Sequence, residues 1–149
     1  MNRNTWDNLI KDGAYSQEFD WLAIDNKGHL GIFTATMNAP IPDKVKSSFE
    51  NYEELRRRIE LTTKTTSAIV ETREKGDFDD WIAYADKGFF AFDFQDIHRT
   101  EKKNQYDLIA RPARPLTVDE LHLPIVLADS LVKIDCDFGD GDVTTDKVK

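Results

Sequence analysis

The chain has 149 residues, a formal charge of −8 and one cysteine, Cys136. That charge excludes the two partners that demand a cationic surface, a nucleic-acid backbone and an anionic membrane. The lone cysteine excludes an intrachain disulfide and suits the reducing cytoplasm.

Three Trp, nine Phe and four Tyr supply bulky core material for one ordinary domain. No stretch approaches the ~20 apolar residues of a membrane span, and the opening MNRNTWDNLIKDG lacks the apolar segment of a secretion signal. The expectation is a cytoplasmic protein with residues 1–142 as a single domain and 143–149 as a mobile polar tail.

In chain order, Thr5 reads as the N-cap of a short turn that places Trp6, Leu9 and Ile10 on one face and stops at Gly13. From Tyr15 the pattern is extended, with Phe19, Trp21 and Ala23 on one face and Leu22 and Ile24 on the other. Asn26-Lys27-Gly28 fits a hairpin turn closed by a glycine at positive φ, and a return strand runs to about Thr36. Val45, Phe49, Tyr52, Leu55 and Ile59 form one helical stripe, which predicts a long helix over 43–61. Asp43 then stands at its start and Arg56-Arg57-Arg58 at its end, a solvated end paired with its own glutamates. Ala68-Ile69-Val70 reads as a short strand.

The second half begins by repeating the first. Residues 81–93 (WIAYADKGFFAFD) follow residues 21–33 (WLAIDNKGHLGIF) without a gap, with Trp, Ala, Lys and Gly identical. The match predicts a second hairpin in which Trp81 is a core anchor and Gly88 the turn residue. Duplication, or two hairpins under the same packing rules, would each produce this spacing. Tyr106 to Ala110 reads as a further antiparallel strand, and Arg111-Pro112-Ala113-Arg114-Pro115 leaves the sheet interior. Thr117 and Glu120 form a capping box stapled by Leu116, and Pro124 interrupts the helix that follows. Val132, Ile134, Cys136 and Phe138 alternate with polar residues as a closing strand, in which Cys136 is an inert core filler. The sum is an α+β domain: a mostly antiparallel sheet of two hairpins plus additional strands, with one long helix and short helices packed on one side.

No constellation of residues carries catalysis. His29, His98 and His122 lack metal-ligand spacing, so neither a metal nor another cofactor is expected. Asp137-Phe138-Gly139 lacks the other kinase motifs, and a calcium loop counted from Asp135 has Asp140 where glycine is needed. What stands out is clustered acid: Asp77, Asp79, Asp80 and Asp86 before and within the second copy, and Asp135, Asp137 and Asp140 near the end. Such clusters either spread over solvent or await a cationic partner.

The strings FDWLAIDNKGHLGIFTA, DDWIAYADKGFFAFDF and YDLIARPARPLTVDEL resemble a group of small bacterial proteins. The group includes immunity proteins encoded beside polymorphic or contact-dependent toxins. The resemblance spans about residues 19–138 and rests on hairpin, proline-break and capping signals. It implies a cytoplasmic single-domain protein that binds and blocks a secreted toxin, often a basic nuclease, and assigns no residue to the contact. The expectation is therefore a non-enzymatic protein-binding domain using its acidic face. Its rivals are a small-molecule or enzymatic domain with a pocket between sheet and long helix, and a homodimeric accessory domain.

Overall fold

The computed structural model describes residues 1–12 and 18–148. The expected stop at Gly13 and the extended start at Tyr15 lie outside these residues. Among the described residues seven strands build one mixed sheet: β1 (Phe19–Ile24), β2 (Leu30–Ala35), β3 (Ala68–Val70), β4 (Phe90–Asp93), β5 (Gln105–Pro112), β6 (Val132–Lys133) and β7 (Val143–Thr144). Their order is β3-β5-β4-β2-β1-β6, with β7 also pairing β5. Among the described residues four α-helices accompany them: α1 (Arg3–Asp12), α2 (Phe49–Leu61), α3 (Asp79–Asp86) and α4 (Ile125–Ser130).

The first hairpin forms as expected, with Trp21 opposite Phe33 in the antiparallel β1–β2 pair. Gly28 sits at φ +76, the conformation that its turn requires. The second hairpin does not form. Residues 79–86 are α3, so the sheet is not mostly antiparallel: β4 runs parallel to β2, and β6 parallel to β1. Parallel neighbours need a crossover connection, and α2, β3 and α3 provide it. Trp81, Tyr84 and Ala85 stand at helical spacing, and the aspartates in the first turn of α3 suit its dipole. Trp81 is only half-buried and is no core anchor.

The helix expected over 43–61 is shorter. Ser48 is its N-cap, accepting from the Asn51 amide at 3.2 Å, so α2 begins at Phe49 and Asp43 lies in the preceding turns. In α1, Asn2 rather than Thr5 caps, accepting the Thr5 amide at 2.8 Å. The Thr117–Glu120 capping box is present but opens a 3-10 turn (Val118–Leu121), and α4 follows Pro124. Pro112 belongs to β5, placed opposite Ala68 of the short strand β3.

Both faces of the sheet are covered, so the helices do not pack on one side alone. Trp6 and Leu9 of α1 join Phe19, Trp21, Phe33, Phe92 and Tyr106 on one face, together with Ile134, Phe138, Val143 and Val148. Ile59 of α2 and Ala85 of α3 pack on the opposite face, over Leu22, Leu30, Ile32, Ala91 and Ala110. Residues 143–148, expected as a free tail, instead contribute β7 and two buried valines. The closing strand stops at Lys133, and Cys136 is half-buried; burial pushes its thiol up to about 11.

Candidate functional site

Two adjacent rows of side chains cross the centre of the sheet. Trp21, Phe33, Phe92 and Leu108 are paired in register on one face. Within that row the Trp21 and Phe33 rings stack at 4.5 Å, as do Phe33 and Phe92. One residue along each strand the side chains point to the other face, because a strand alternates. There the row reads Asp20, Thr34, Asp93 and Asp107, again in register across β1, β2, β4 and β5.

A polar row beneath two helices needs partners, since a buried carboxylate without them is costly. Asp20 has them: Thr34 Oγ1 donates at 2.7 Å to one carboxylate oxygen and Tyr84 Oη at 2.5 Å to the other. Burial and the adjoining Asp20 charge push the Tyr84 hydroxyl upward, so it remains a donor. Arg56 of α2 lies close enough to Asp20, Tyr52 and Tyr84 to interact electrostatically with all three. Asp107 is paired with Arg99 and accepts from Gln105 Nε2 at 2.6 Å.

Asp93 is the exception. It is 9 % exposed, and its buried Oδ1 has no hydrogen-bond partner among the described residues. Burial pushes its carboxyl up to about 7, helped by the charges of Glu18 and Asp107. Glu18 is itself raised by partial burial and then by Asp20 and Asp80, which places the first turn of α3 in the same acidic field. The charges of Asp20 and Asp80 thus act on Glu18, and those of Glu18, Asp107 and Asp20 on Asp93.

The structure divides the acids singled out in the sequence. Asp77, Asp79 and Asp80 are exposed at the start of α3, where Asp77 accepts the Asp79 amide at 3.0 Å. The others do not join them. Asp86 accepts the Ala68 amide at 2.8 Å and lies 3.6 Å from Lys64. Asp135 accepts from Asn26 at 2.7 Å, Asp137 pairs with Lys27 at 2.8 Å, and exposed Asp140 lies in the turn beyond. These four serve or border the chain's own architecture, and of the acids singled out in the sequence Asp80 is the one whose charge acts on Glu18 and Tyr84 at the polar row.

Asp20, Asp93 and Asp107 escape a search for charge clusters because each is a single acid in an apolar strand. The signal was there: Phe19-Asp20-Trp21, Phe92-Asp93-Phe94 and Tyr106-Asp107-Leu108 each set an aspartate between core residues.

A second group, Asp25, His29 and Asp137, brings potential metal-ligand atoms within 4.8 Å of one another. Its carboxylates are already committed. Asp25 accepts the amides of Lys27, His29 and Phe138, each at 2.9 Å, and Asp137 holds the Lys27 ammonium and the Gly139 amide. This group is an architectural clamp.

The space between β1 and α2, lined by Asp20, Leu22, Tyr52, Leu55 and Arg56, amounts to about 30 Å³. A neighbouring hollow beside Asp20, Arg56, Tyr84 and Lys87 holds about 100 Å³. Ligand pockets for small molecules run to roughly 300–1,000 Å³. No helix among the described residues is long and apolar enough to cross a membrane. No family model matches the chain, and no curated protein or solved structure matches it either.

Proposed function

We propose that this is a cytoplasmic, non-enzymatic binding protein of immunity type. It neutralises a basic toxin domain by engaging it through the acidic end of the sheet. The observation that carries this reading is the cluster of exposed Asp77, Asp79 and Asp80 at the start of α3, where the Asp80 charge acts on Glu18 beside the polar row. Like charges gathered there repel one another in the free protein, and a cationic surface relieves that repulsion on binding. The small size of the space between the sheet and α2 counts against a small-molecule pocket at that place. Exposed acids also speed encounter with a basic cleft, an effect that salt screens.

The test is whether the neighbouring gene encodes a protein with a toxin-like C-terminal domain, and whether the purified chain binds that domain at low and high salt; a neighbour of another kind overturns the reading. The expected result is salt-sensitive binding that D77K/D79K/D80K weakens by at least about tenfold, mostly through a slower on-rate. An unchanged affinity at low salt overturns the assignment of the contact to α3.

A further inference from the structure

The sheet ends differently on its two sides. At the β6 end Val132 is 4 % exposed, whereas at the β3 end Ile69 and Val70 are 48 % and 50 % exposed. The backbone of β3 is only half used. The Ala113 amide donates to the Ser67 carbonyl and the Glu71 amide to the Ile109 carbonyl, each at 2.8 Å. Residues 67, 69 and 71 therefore turn their polar groups toward β5, and Ala68 and Val70 turn theirs away from it. The Ala68 amide is met on that outer side by the Asp86 carboxylate at 2.8 Å. The Ala68 carbonyl and the Val70 amide and carbonyl have no partner among the described residues. Such a row is a template for a further strand.

Its surroundings set what fits it. α3 returns along β3, from Asp79 down to Asp86 at the Ala68 amide. Asp79, Ile82 and Asp86 recur at i, i+3 and i+7, which is one helical face. Exposed Asp79 and half-buried Ile82 thus share the side of α3 that Asp86 turns to the edge. Val70 points to the α3 side of the sheet, because it pairs with Ala110, which packs with Ala85 of α3. Asp86 already lies 3.6 Å from the Lys64 ammonium, whereas Asp79 has no ion pair among the described residues.

We infer that the open edge of β3 receives an extended segment of the partner protein with alternating apolar and basic side chains. This rests on the binding role proposed above and names the part of the partner recognised. Main-chain hydrogen bonds to the Ala68 carbonyl and to the Val70 amide and carbonyl fix the segment. One of its apolar side chains packs against Val70 and Ile82, and a Lys or Arg meets Asp79. A second copy of this chain is a poorer occupant, since it brings its own charge of −8 to the contact. A strand of three residues also falls far short of the roughly 800 Å² per partner of a stable dimer, but suffices to extend a contact that the acids already hold.

The experiment is a two-dimensional amide NMR titration of the intact chain with a capped peptide of alternating valine and lysine. The parallel arms are the same peptide with glutamate in place of lysine, and the same peptide methylated on its backbone nitrogens. The lysine peptide should give saturable shifts at Ala68, Val70 and Glu71 and slow the exchange of the Val70 amide with deuterium. The glutamate peptide should bind roughly tenfold more weakly, and the methylated one should not bind. Val70→Pro removes the outward amide and leaves the β5 ladder intact, so it should fold and lose the saturable shifts; its own amide spectrum verifies the fold. Asp79→Lys should weaken the lysine peptide about three- to tenfold and the glutamate peptide not at all.

The inference is overturned by a lysine peptide that gives no saturable shift, by equal binding of the methylated peptide, or by saturable shifts that Val70→Pro leaves intact. A chain that dimerises in light scattering, and ceases to with Val70→Pro, overturns it in favour of a second copy at the edge. Failure here is separable from failure of the wider reading. If Val70→Pro binds the toxin domain as the native chain does while D77K/D79K/D80K does not, the acidic-surface function stands and the edge site falls.

Discussion

The two copies of the repeated phrase share Trp, Ala, Lys and Gly at the same offsets and fold differently. In the first, Trp21 lies on a strand, is 2 % exposed, and donates from Nε1 to the Tyr106 hydroxyl at 3.3 Å. In the second, Trp81 lies on α3, is half-buried, and its Nε1 has no hydrogen-bond partner among the described residues. Gly28 turns a hairpin; Gly88 follows the end of a helix, at φ +104. The return strands β2 and β4 then lie side by side in parallel, but Phe33 pairs with Phe92 rather than with its counterpart in the repeat, Asp93. A one-residue offset reverses the face of every side chain. It sends Phe33 into the aromatic stack and Asp93 into the polar row. Sequence likeness at this scale records shared turn and packing chemistry; the pairing partner decides which element results.

The sharpest way to break that comparison is to truncate the two tryptophans. Trp21→Ala removes a ring stacked on Phe33 at the centre of the core and should cost about 4 kcal/mol. Trp81→Ala, at a half-buried site, should cost about 1–2 kcal/mol. Denaturant midpoints check this, and equal losses would mean that the second copy anchors the core after all.

The next contrast concerns Phe33 and Asp93. Unfolded, Asp93 ionises near its ordinary 3.8; folded, at about 7. Between those values the native state keeps a proton that the unfolded chain has released. Stability should therefore fall as pH rises from about 4 to about 7, by on the order of 3 kcal/mol, with the loss complete above that. Asp93→Asn cannot ionise, so its stability-against-pH curve should be flatter, and the variant should melt higher than the native chain at pH 8. A native curve that Asp93→Asn leaves unchanged would show that Asp93 titrates normally.

The smallest effect separates the glycines. A Cβ at Gly88 would stand 2.7 Å from Leu116 Cβ and 3.1 Å from its backbone nitrogen, whereas at Gly28 its nearest neighbour is Val118 Cγ1 at 3.7 Å. Gly88→Ala should cost about 2 kcal/mol, from positive φ and a backbone clash together, and Gly28→Ala about 1 kcal/mol, from φ alone. Thermal melts of the two variants decide the ranking.

These contrasts also show what was legible from the sequence. The first hairpin could be read because Asn26-Lys27-Gly28 and the strand alternation agree. The capping box at Thr117 could be read because it is local. The residues of α3 could not be settled that way. WIAYAD satisfies strand alternation and helical spacing alike, and the choice is made by where β4 finds its partner, a non-local fact. The same limit hid the candidate site. Asp20, Asp93 and Asp107 are far apart in the chain, and only the register of four strands assembles them. Charge density pointed toward Asp77, Asp79 and Asp80 but also toward acids that serve as caps and clamps, because composition does not distinguish a free carboxylate from an occupied one.

The clamp at Asp25 has a consequence for biosynthesis. One carboxylate joins the first hairpin turn to the Phe138 amide, 113 residues onward, and the Phe138 ring lies where any side chain at residue 31 would go. β1 likewise acquires its outer neighbour, β6, only from the last fifth of the chain. A nascent polypeptide halted before Phe138 would therefore carry a formed hairpin with its aromatic face uncovered. Contacts of such sequence separation form late and slowly. Folding of this domain is expected to finish only after its C-terminal segment has left the ribosome, and until then the aromatic row is the surface that a chaperone would meet.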